Sequence, residues 1–182
     1  MSETSPNPTQ PSSGPVLPPI DPKALVATAI AVVKNPIEFF KGKKAETGLV
    51  NCLVFSVAMS LACGALTFVS TLVYSGFALI ASFRVLFETV VGGGLIGPFV
   101  GGLIVWAVSL IFGSKAPYEP SVRIAAYSSA VLPAMGVASF IALLGWLAGL
   151  VMLAISAYGI YIAVMGARVL NFDAPPTATP TA

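Results

Sequence analysis

A run of glycines between two apolar segments is the stretch whose residue spacing most resembles a ligand-binding motif. Gly92, Gly94 and Gly97 spell the G-x-G-x-x-G pattern that cradles a dinucleotide pyrophosphate. Such a site needs a preceding strand, a helix that starts in the turn and an acidic residue about 20 positions on. Here Pro98 and a long apolar run follow the glycines, and the next acidic residue, Glu119, lies in a polar loop beyond that run. The pattern therefore favours helix packing, and we expect neither a nucleotide nor another cofactor.

Small side chains recur every four residues in two of the apolar stretches. The positions are Gly93, Gly97 and Gly101 in the later stretch, and Ser56, Ser60 and Gly64 in the earlier one. On a helix this spacing gives a groove along one face, into which another helix can pack closely. Pro98 removes one backbone hydrogen bond and should bend the later helix. We predict that the glycine groove packs helices within the chain, with a dimer seam or a hinge as the alternative, and that the groove of Ser56, Ser60 and Gly64 lets another helix approach closely.

Arg84 and Glu88 form the only charged pair in the apolar body of the chain between residues 49 and 113. They are four residues apart and fall on one face of a helix. The chain has no histidine, so Ser128 and Ser129 lack the commonest general base, and we predict no enzyme and no metal centre. The Arg84–Glu88 pair either lies at the membrane interface or lines the path of a transporter or channel for a small solute.

The elements that hold these residues must be membrane helices. Hydrophobic residues make up 57% of the 182 residues and charged residues only 9%, whereas a soluble domain carries about a quarter charged residues. One span needs about 20 apolar residues. We predict an all-α, polytopic membrane helical bundle with transmembrane helices at about 49–73, 90–113, 124–144 and 147–167, and an amphipathic helix at 74–89. Five spans are the alternative if 74–89 also crosses the membrane.

The basic residues are concentrated at the ends of the predicted spans. They stand before the first span and after the second and fourth: Lys41, Lys43, Lys44, Lys115, Arg123 and Arg168. Four spans put all of them on one side. Basic residues beside a span tend to remain in the cytoplasm, so we predict that this side, with the N-terminus, is cytoplasmic. We expect Lys41, Lys43 and Lys44 to meet anionic lipid headgroups.

Outside the spans the composition changes sharply. Residues 1–22 and 170–182 are rich in proline and threonine, and we predict that both are disordered tails. Between 23 and 48, an apolar helix that ends at Asn35–Pro36 is followed by a basic linker. This juxtamembrane helix is expected to be amphipathic and to lie on the membrane surface, with packing against the rest of the protein as the alternative.

Two stretches together resemble prokaryotic members of the Yip family, the Ypt/Rab-interacting multi-pass membrane proteins. The first is KNPIEFFKGKKAETG, in which Asn35 and Pro36 are followed by aromatic residues and a basic, glycine-containing linker into the first span. The second is RIAAYSSAVLP, which places Tyr127 and Pro133 in the pattern of the family's closing hairpin. The resemblance covers residues 34–169.

The resemblance implies an all-helical membrane domain of four or five spans, here in a bacterial inner membrane. Eukaryotic relatives act in vesicle trafficking, where they bind Rab-type GTPases or shape membranes, often as oligomers. In this chain the N-terminal segment is short and proline-rich and has no acidic GTPase-binding motif. We therefore expect a membrane-organising or protein-interaction module, a scaffold or accessory subunit. Its partners would be the lipid bilayer and a second protein or copy of itself, and not a nucleic acid or a nucleotide. The alternative is a transporter or channel component that uses Arg84 and Glu88.

Overall fold

The computed structural model describes residues 21–172, without the side chains of 142–144, and within that range every regular element is a helix. The predicted tails at 1–22 and 170–182 lie outside the described residues, apart from their inner ends. The helices are α1 (Pro22–Lys34), α2 (Pro36–Gly42), α3 (Val50–Tyr74), α4 (Leu79–Ile111), α5 (Tyr118–Ile141) and α6 (Trp146–Phe172). The predicted all-α fold is confirmed.

Four of these helices are long and apolar enough to cross a bilayer. α3, α4, α5 and α6 contain between 24 and 33 residues and have mean hydropathies between 1.6 and 2.2. Each exceeds the length of about 20 residues that a span needs. The predicted polytopic bundle with four transmembrane helices is confirmed.

The second of these helices differs from the prediction, because 74–89 and the span after it are not separate elements. From Leu79 onward one continuous helix of 33 residues forms α4. Nothing ends the helix at Glu88, since Thr89 keeps helical torsion angles and its hydroxyl group donates to Val85 O at 2.8 Å. The charged pair therefore lies in the first turns of α4 and not on a helix of its own.

The glycine stretch inside α4 forms a π-helix from Thr89 to Ile96. Such wide turns are rare, and the sequence supplies two reasons for one here. The glycines at 92–94 carry no side chains that would crowd the turn, and Pro98 has no N–H to donate to an earlier carbonyl group. The N–H of Gly97 instead bonds to Gly92 O, five residues back. The G-x-G-x-x-G pattern therefore lies within a helix, and not between the strand and helix of a nucleotide site.

α5 departs from regular α-helix near its middle. Ser129–Val131 form a 3-10 turn, and Pro133 stands in the first turn of the segment that follows. The hydroxyl group of Ser128 donates to Ile124 O at 2.8 Å. A backbone that leaves regular helix inside a membrane needs such side-chain partners, because no water is present to replace the lost hydrogen bonds.

α3 and α5 form the centre of the bundle. A Cβ atom placed on Gly136 of α5 would lie 3.0 Å from Cys63 O of α3, so these helices touch backbone to backbone. α4 packs against both, and α6 packs against α5 and α2. The buried core lies in one half of the bundle and consists of Val32, Phe40, Cys52, Phe55, Met59, Ile124, Ala126, Tyr127, Ala130, Ile162, Val169 and Leu170.

Hydrogen bonds between the connecting segments establish which helix ends lie together. At one end the hydroxyl group of Ser114 donates to Asn171 O at 2.7 Å. At the other end Tyr74 donates to Phe140 O. The four long helices therefore alternate in direction. We call the end that holds Ser114 the basic end, because it carries Lys41, Lys43, Lys44, Lys115, Arg123 and Arg168.

α1 packs against the side of the bundle. Asp21 accepts a hydrogen bond from the Lys23 N–H and caps the first turn. Val32 is fully buried, and Tyr158 of α6 donates a hydrogen bond to Val33 O. The helix therefore packs on the rest of the protein, and its position on the membrane surface stays a prediction.

Candidate functional site

Charged and polar side chains meet at the basic end, where the N-terminal segment crosses α5. Glu119, Arg123 and Tyr127 follow one another at steps of four along α5 and therefore share one face. α2 ends at Gly42, and the loop after it lies over this face and carries Glu46. Two segments that are distant in the sequence thus combine to form one cluster.

Arg123 lies at the centre of this cluster and is only 7% exposed. Its guanidinium group donates to Lys43 O at 3.4 Å and also to Glu46 O. The Nε atom lies 4.0 Å from a carboxylate oxygen of Glu119 and makes no hydrogen bond there. Glu119 in turn accepts a hydrogen bond from Gly48 N–H at 2.8 Å. A buried cation is stable only with such partners, so Arg123 joins the loop to α5.

Tyr127, one turn further along α5 than Arg123, also binds the loop after α2. It is 2% exposed, and its hydroxyl group lies 3.1 Å from both carboxylate oxygens of Glu46. Its ring meets Phe39 edge-on at 5.0 Å between centroids and Phe55 at 5.4 Å. The ammonium group of Lys43 lies 5.4 Å from the Tyr127 ring centre and 3.1 Å from Glu46. Aromatic packing, a cation–π contact and an ion pair therefore act at one point.

We call Lys43, Glu46, Glu119, Arg123 and Tyr127 the N-terminal latch. Its two cations and two carboxylates balance in charge, and each of them has a partner inside the cluster. Within residues 21–172 no three histidine, cysteine or acidic residues come together as a metal site would require. The arrangement is suited to holding the N-terminal segment on α5.

A second polar cluster ties the end of α6 to α4 and α5. The side-chain amide of Asn171 donates to Ser109 Oγ at 2.9 Å and to Ser121 Oγ at 3.0 Å. Asn171 is 4% exposed, and the oxygen of its side-chain amide, Oδ1, has no hydrogen-bond partner among the described residues. This amide fixes the last turns of α6, which form a π-helix from Arg168 to Phe172.

The predicted pair of Arg84 and Glu88 forms an ion pair of 2.7 Å on the outside of α4. Their side chains are 77% and 57% exposed, so the pair points away from the bundle. Neither residue lines the two cavities described below. The transport alternative therefore gains no support from their position, and placement at the interface remains a prediction.

The predicted small-residue grooves lie at helix contacts, but the register differs on α4. Ser56, Ser60 and Gly64 face inward, and a Cβ atom on Gly93 would lie 3.3 Å from Ser60 Oγ. Gly94, which follows the predicted Gly93, lies closer to the backbone of α3 than Gly93 does. A Cβ atom on Gly94 would lie 3.1 Å from Val57 Cα.

The other two predicted glycines of α4 contribute unequally. A Cβ atom on Gly101 would meet the Ala125 Cβ at 3.2 Å, whereas on Gly97 it would meet only Gly92 O of its own helix. On Gly102 it would lie 2.7 Å from Val122 Cα. The π-helix explains why Gly102 and not Gly97 lies at the contact. Its wider turns change the direction in which later residues of α4 point, so a spacing of four across it no longer marks one face.

The four residues of the family pattern lie at a helix start, in the N-terminal latch and beside a cavity. Asn35 accepts a hydrogen bond from Glu38 N–H and starts α2, with Pro36 buried beside it. Tyr127 belongs to the N-terminal latch. Pro133 lines a cavity of about 450 Å³ between α1 and the bundle. These placements describe the residues; a functional role for each stays a prediction.

The three lysines predicted to meet lipid headgroups do not behave alike. Lys41 is exposed on α2, near the basic end. Lys43 belongs to the N-terminal latch, where it pairs with Glu46 at 3.1 Å. Lys44 is exposed but also makes a contact inside the protein. Of the three lysines, Lys41 is therefore the one for which we still predict contact with lipid headgroups.

Sequence reasoning missed Glu46, Glu119, Arg123 and Asn171. One signal was available: Glu119, Arg123 and Tyr127 follow at steps of four, which places them on one helix face. No local pattern indicates that Glu46 contacts this face, because 77 residues separate it from Arg123. Asn171 lies within a segment that was assigned to a disordered tail.

Comparison with known proteins agrees with this architecture. The model of the Yip1 domain matches residues 30–181, which is most of the chain. No curated protein and no solved structure matches it. The match includes the last five residues of α1, the four candidate membrane spans and every member of the N-terminal latch. The resemblance noted in the sequence is thereby confirmed, and the chain belongs to the Yip1 domain family.

Proposed function

We propose that this Yip1-domain protein is a membrane-embedded interaction module, and that it assembles with a second copy of itself through the outward face of α6. The observation that carries the proposal is the small contribution of α6 to the core. Over Trp146–Ala167 only Ala148, Ile162 and Gly166 are buried. A helix that gives so little surface to its own bundle leaves a long face available to a partner.

The outward face of α6 has a pattern suited to helix pairing. Leu150, Leu153, Ala157 and Tyr161 lie at helical spacing and are all exposed, with Leu153 66% exposed. Large side chains flank a small one at Ala157, so a second helix can approach closely at that point. Two copies in one membrane have the same orientation, and a twofold axis along α6 would bring each residue near its counterpart.

The proposal assigns the basic end to the cytoplasm, because basic residues beside membrane spans tend to remain there. It also assigns the protein to a bacterial inner membrane, as the resemblance to prokaryotic family members implies. In this arrangement the outward face of α6 lies within the bilayer. The interaction is therefore one between membrane helices and does not involve a soluble GTPase.

Cysteine crosslinking in native membranes tests the proposal. In a chain with Cys52 and Cys63 changed to alanine, Ala157→Cys should form a disulfide-linked dimer on oxidation, because a disulfide needs Cα atoms about 4.4–6.8 Å apart. Ala65→Cys is the matched control. Ala65 is an exposed alanine of α3 at a similar distance from the basic end by residue count. Equal crosslinking of the two variants, or none for Ala157→Cys, would contradict assembly through α6.

A further inference from the structure

A groove opens between α4 and α6 at the half of the bundle nearest the basic end. Its cavity volume is about 670 Å³, within the range of roughly 300–1,000 Å³ typical of small-molecule sites. The walls are almost entirely apolar, with Ile104 and Val108 on α4 facing Ile160 and Val164 on α6. The two helices scarcely touch each other here.

The groove has a polar end and an apolar end. Among the described residues, Arg168 is the only charged one that lines the groove, and it lies in the last turns of α6, beside Phe172. Ser109 lines the cavity on α4, and its oxygen accepts a hydrogen bond from Asn171 at 2.9 Å, which leaves its own proton available. Farther from the basic end only aliphatic side chains such as Ile104 and Ile160 remain. An amphiphile has the same separation of polar and apolar parts.

The length of the groove matches one leaflet of a bilayer. From Ile104 to Phe112, α4 rises by about 12 Å, and from Ile160 to Phe172, α6 rises by about 15–18 Å. One leaflet contributes about half of the ~30 Å hydrocarbon core. Because the polar end is at the basic end, a lipid in the groove would keep its headgroup level with Arg168.

The charge at the polar end selects among lipids. Among residues 21–172 Arg168 forms no ion pair, and its side chain is exposed. A zwitterionic headgroup would bring a second cation near this guanidinium group, whereas an anionic one would not. Arginine also binds phosphate through two parallel hydrogen bonds.

We infer that the groove between α4 and α6 binds an anionic phospholipid of the leaflet at the basic end. One acyl chain lies along Ile104, Val108, Ile160 and Val164, and the phosphate group binds Arg168, with Ser109 as a second donor. This lipid site goes beyond the proposed function. It does not require assembly through α6 and exists in a single copy of the chain.

Native mass spectrometry of the full chain tests the inference. The protein is incorporated into nanodiscs of equal parts phosphatidylglycerol and phosphatidylcholine, and the lipids retained after release are counted. We expect one retained phosphatidylglycerol per chain. Arg168→Gln should lower the preference for phosphatidylglycerol about fivefold, the effect of removing one cation close to an anionic headgroup.

Two controls separate this site from general attraction to anionic lipid. Arg84→Gln removes an exposed arginine far from the groove and should leave the preference unchanged. Ala163→Trp fills the groove and should abolish retention of either lipid, whereas Ala107→Trp, on an exposed face of α4, should not. Equal effects of Arg168→Gln and Arg84→Gln would overturn the inference, as would full retention by Ala163→Trp. If Ala163→Trp fails to fold, the two arginine variants still decide the question.

Discussion

At Gly102, α4 and α5 approach so closely that no side chain fits between them. A Cβ atom there would lie 2.7 Å from Val122 Cα and 2.9 Å from Val122 N, both of which are backbone atoms that cannot turn aside. Glycine normally costs about 1 kcal/mol relative to alanine in a helix. At this position the absence of a side chain is what allows the two helices to pack.

The change Gly102→Ala should therefore destabilise the protein in spite of the higher helix propensity of alanine. Forcing a methyl group into this contact should cost about 1–3 kcal/mol, which corresponds to a fall in melting temperature of roughly 2–12 °C for a chain of this size. Thermal unfolding in detergent measures it. Gly149→Ala is the control, because a Cβ atom at Gly149 meets nothing within 4 Å and this variant should melt at the same temperature or higher. Identical melting of the two variants would show that the contact is not tight.

At the scale of whole elements, the N-terminal segment is joined to the bundle at a few identifiable points. α2 and the loop after it are held by the N-terminal latch, while α1 rests on the bundle through Val32 and the hydrogen bond from Tyr158 to Val33 O. Arg123 supplies the guanidinium group that binds the carbonyl oxygens of Lys43 and Glu46. Loss of this one side chain should therefore release the loop after α2, while the buried Phe40 keeps α2 itself on the bundle.

The variant Arg123→Gln should make the loop after α2 accessible to protease while the four spans stay folded. Removing one partner from a buried charged cluster costs about 3–5 kcal/mol, so trypsin should cut after Lys41, Lys43 or Lys44 at least tenfold faster than in the unchanged protein. Limited digestion followed by mass spectrometry gives the rate. Arg84→Gln serves as the control, since Arg84 lies on an exposed face of α4. Protection of the loop in Arg123→Gln would mean that aromatic packing alone holds it.

Most of the helices and their approximate ends could be predicted because local composition determines them, but the start of α4 at Leu79 could not. Long uncharged stretches specify the spans, and Asn35–Pro36 specifies the break between α1 and α2. The register within α4 could not be predicted, because the π-helix at Thr89–Ile96 depends on a hydrogen-bond shift that a spacing of four does not reveal. The contact of Glu46 with Arg123 could not be predicted either, because it joins residues 77 positions apart.

At the scale of the whole molecule, the alternation of four long helices brings six basic residues at the span ends to one side, while Arg84 lies near the opposite end of α4. Ser114 and Asn171 meet at that side, and Tyr74 and Phe140 meet at the other. A five-span chain would divide these basic residues between the two sides of the membrane. An additional crossing at 74–89 would move Lys115 to the opposite side from the lysines before α3. The side on which Lys115 lies therefore distinguishes the two topologies.

Labelling of single cysteines from one side of the membrane checks this arrangement. In a chain with Cys52 and Cys63 replaced by alanine, Ser75→Cys should react with a membrane-impermeant maleimide added outside intact cells. Lys115→Cys should react only after the membrane is permeabilised. Labelling of both positions from outside would support five spans, and labelling of Lys115→Cys alone would mean the opposite orientation.

The N-terminal latch also has a consequence for the order of events while the chain is being made. Glu46 leaves the ribosome 77 residues before Arg123 does, and at roughly 5–20 residues per second that is a delay of about 4–15 s. The contact between Val33 and Tyr158 waits longer still, since 125 residues separate them. During this interval the segment lacks its partners on α5 and α6, and the ion pair of Lys43 and Glu46, which are three residues apart, is a contact it can already form. The segment from α1 to Glu46 precedes the four spans in the chain and is therefore among the last of the described elements to reach its final position.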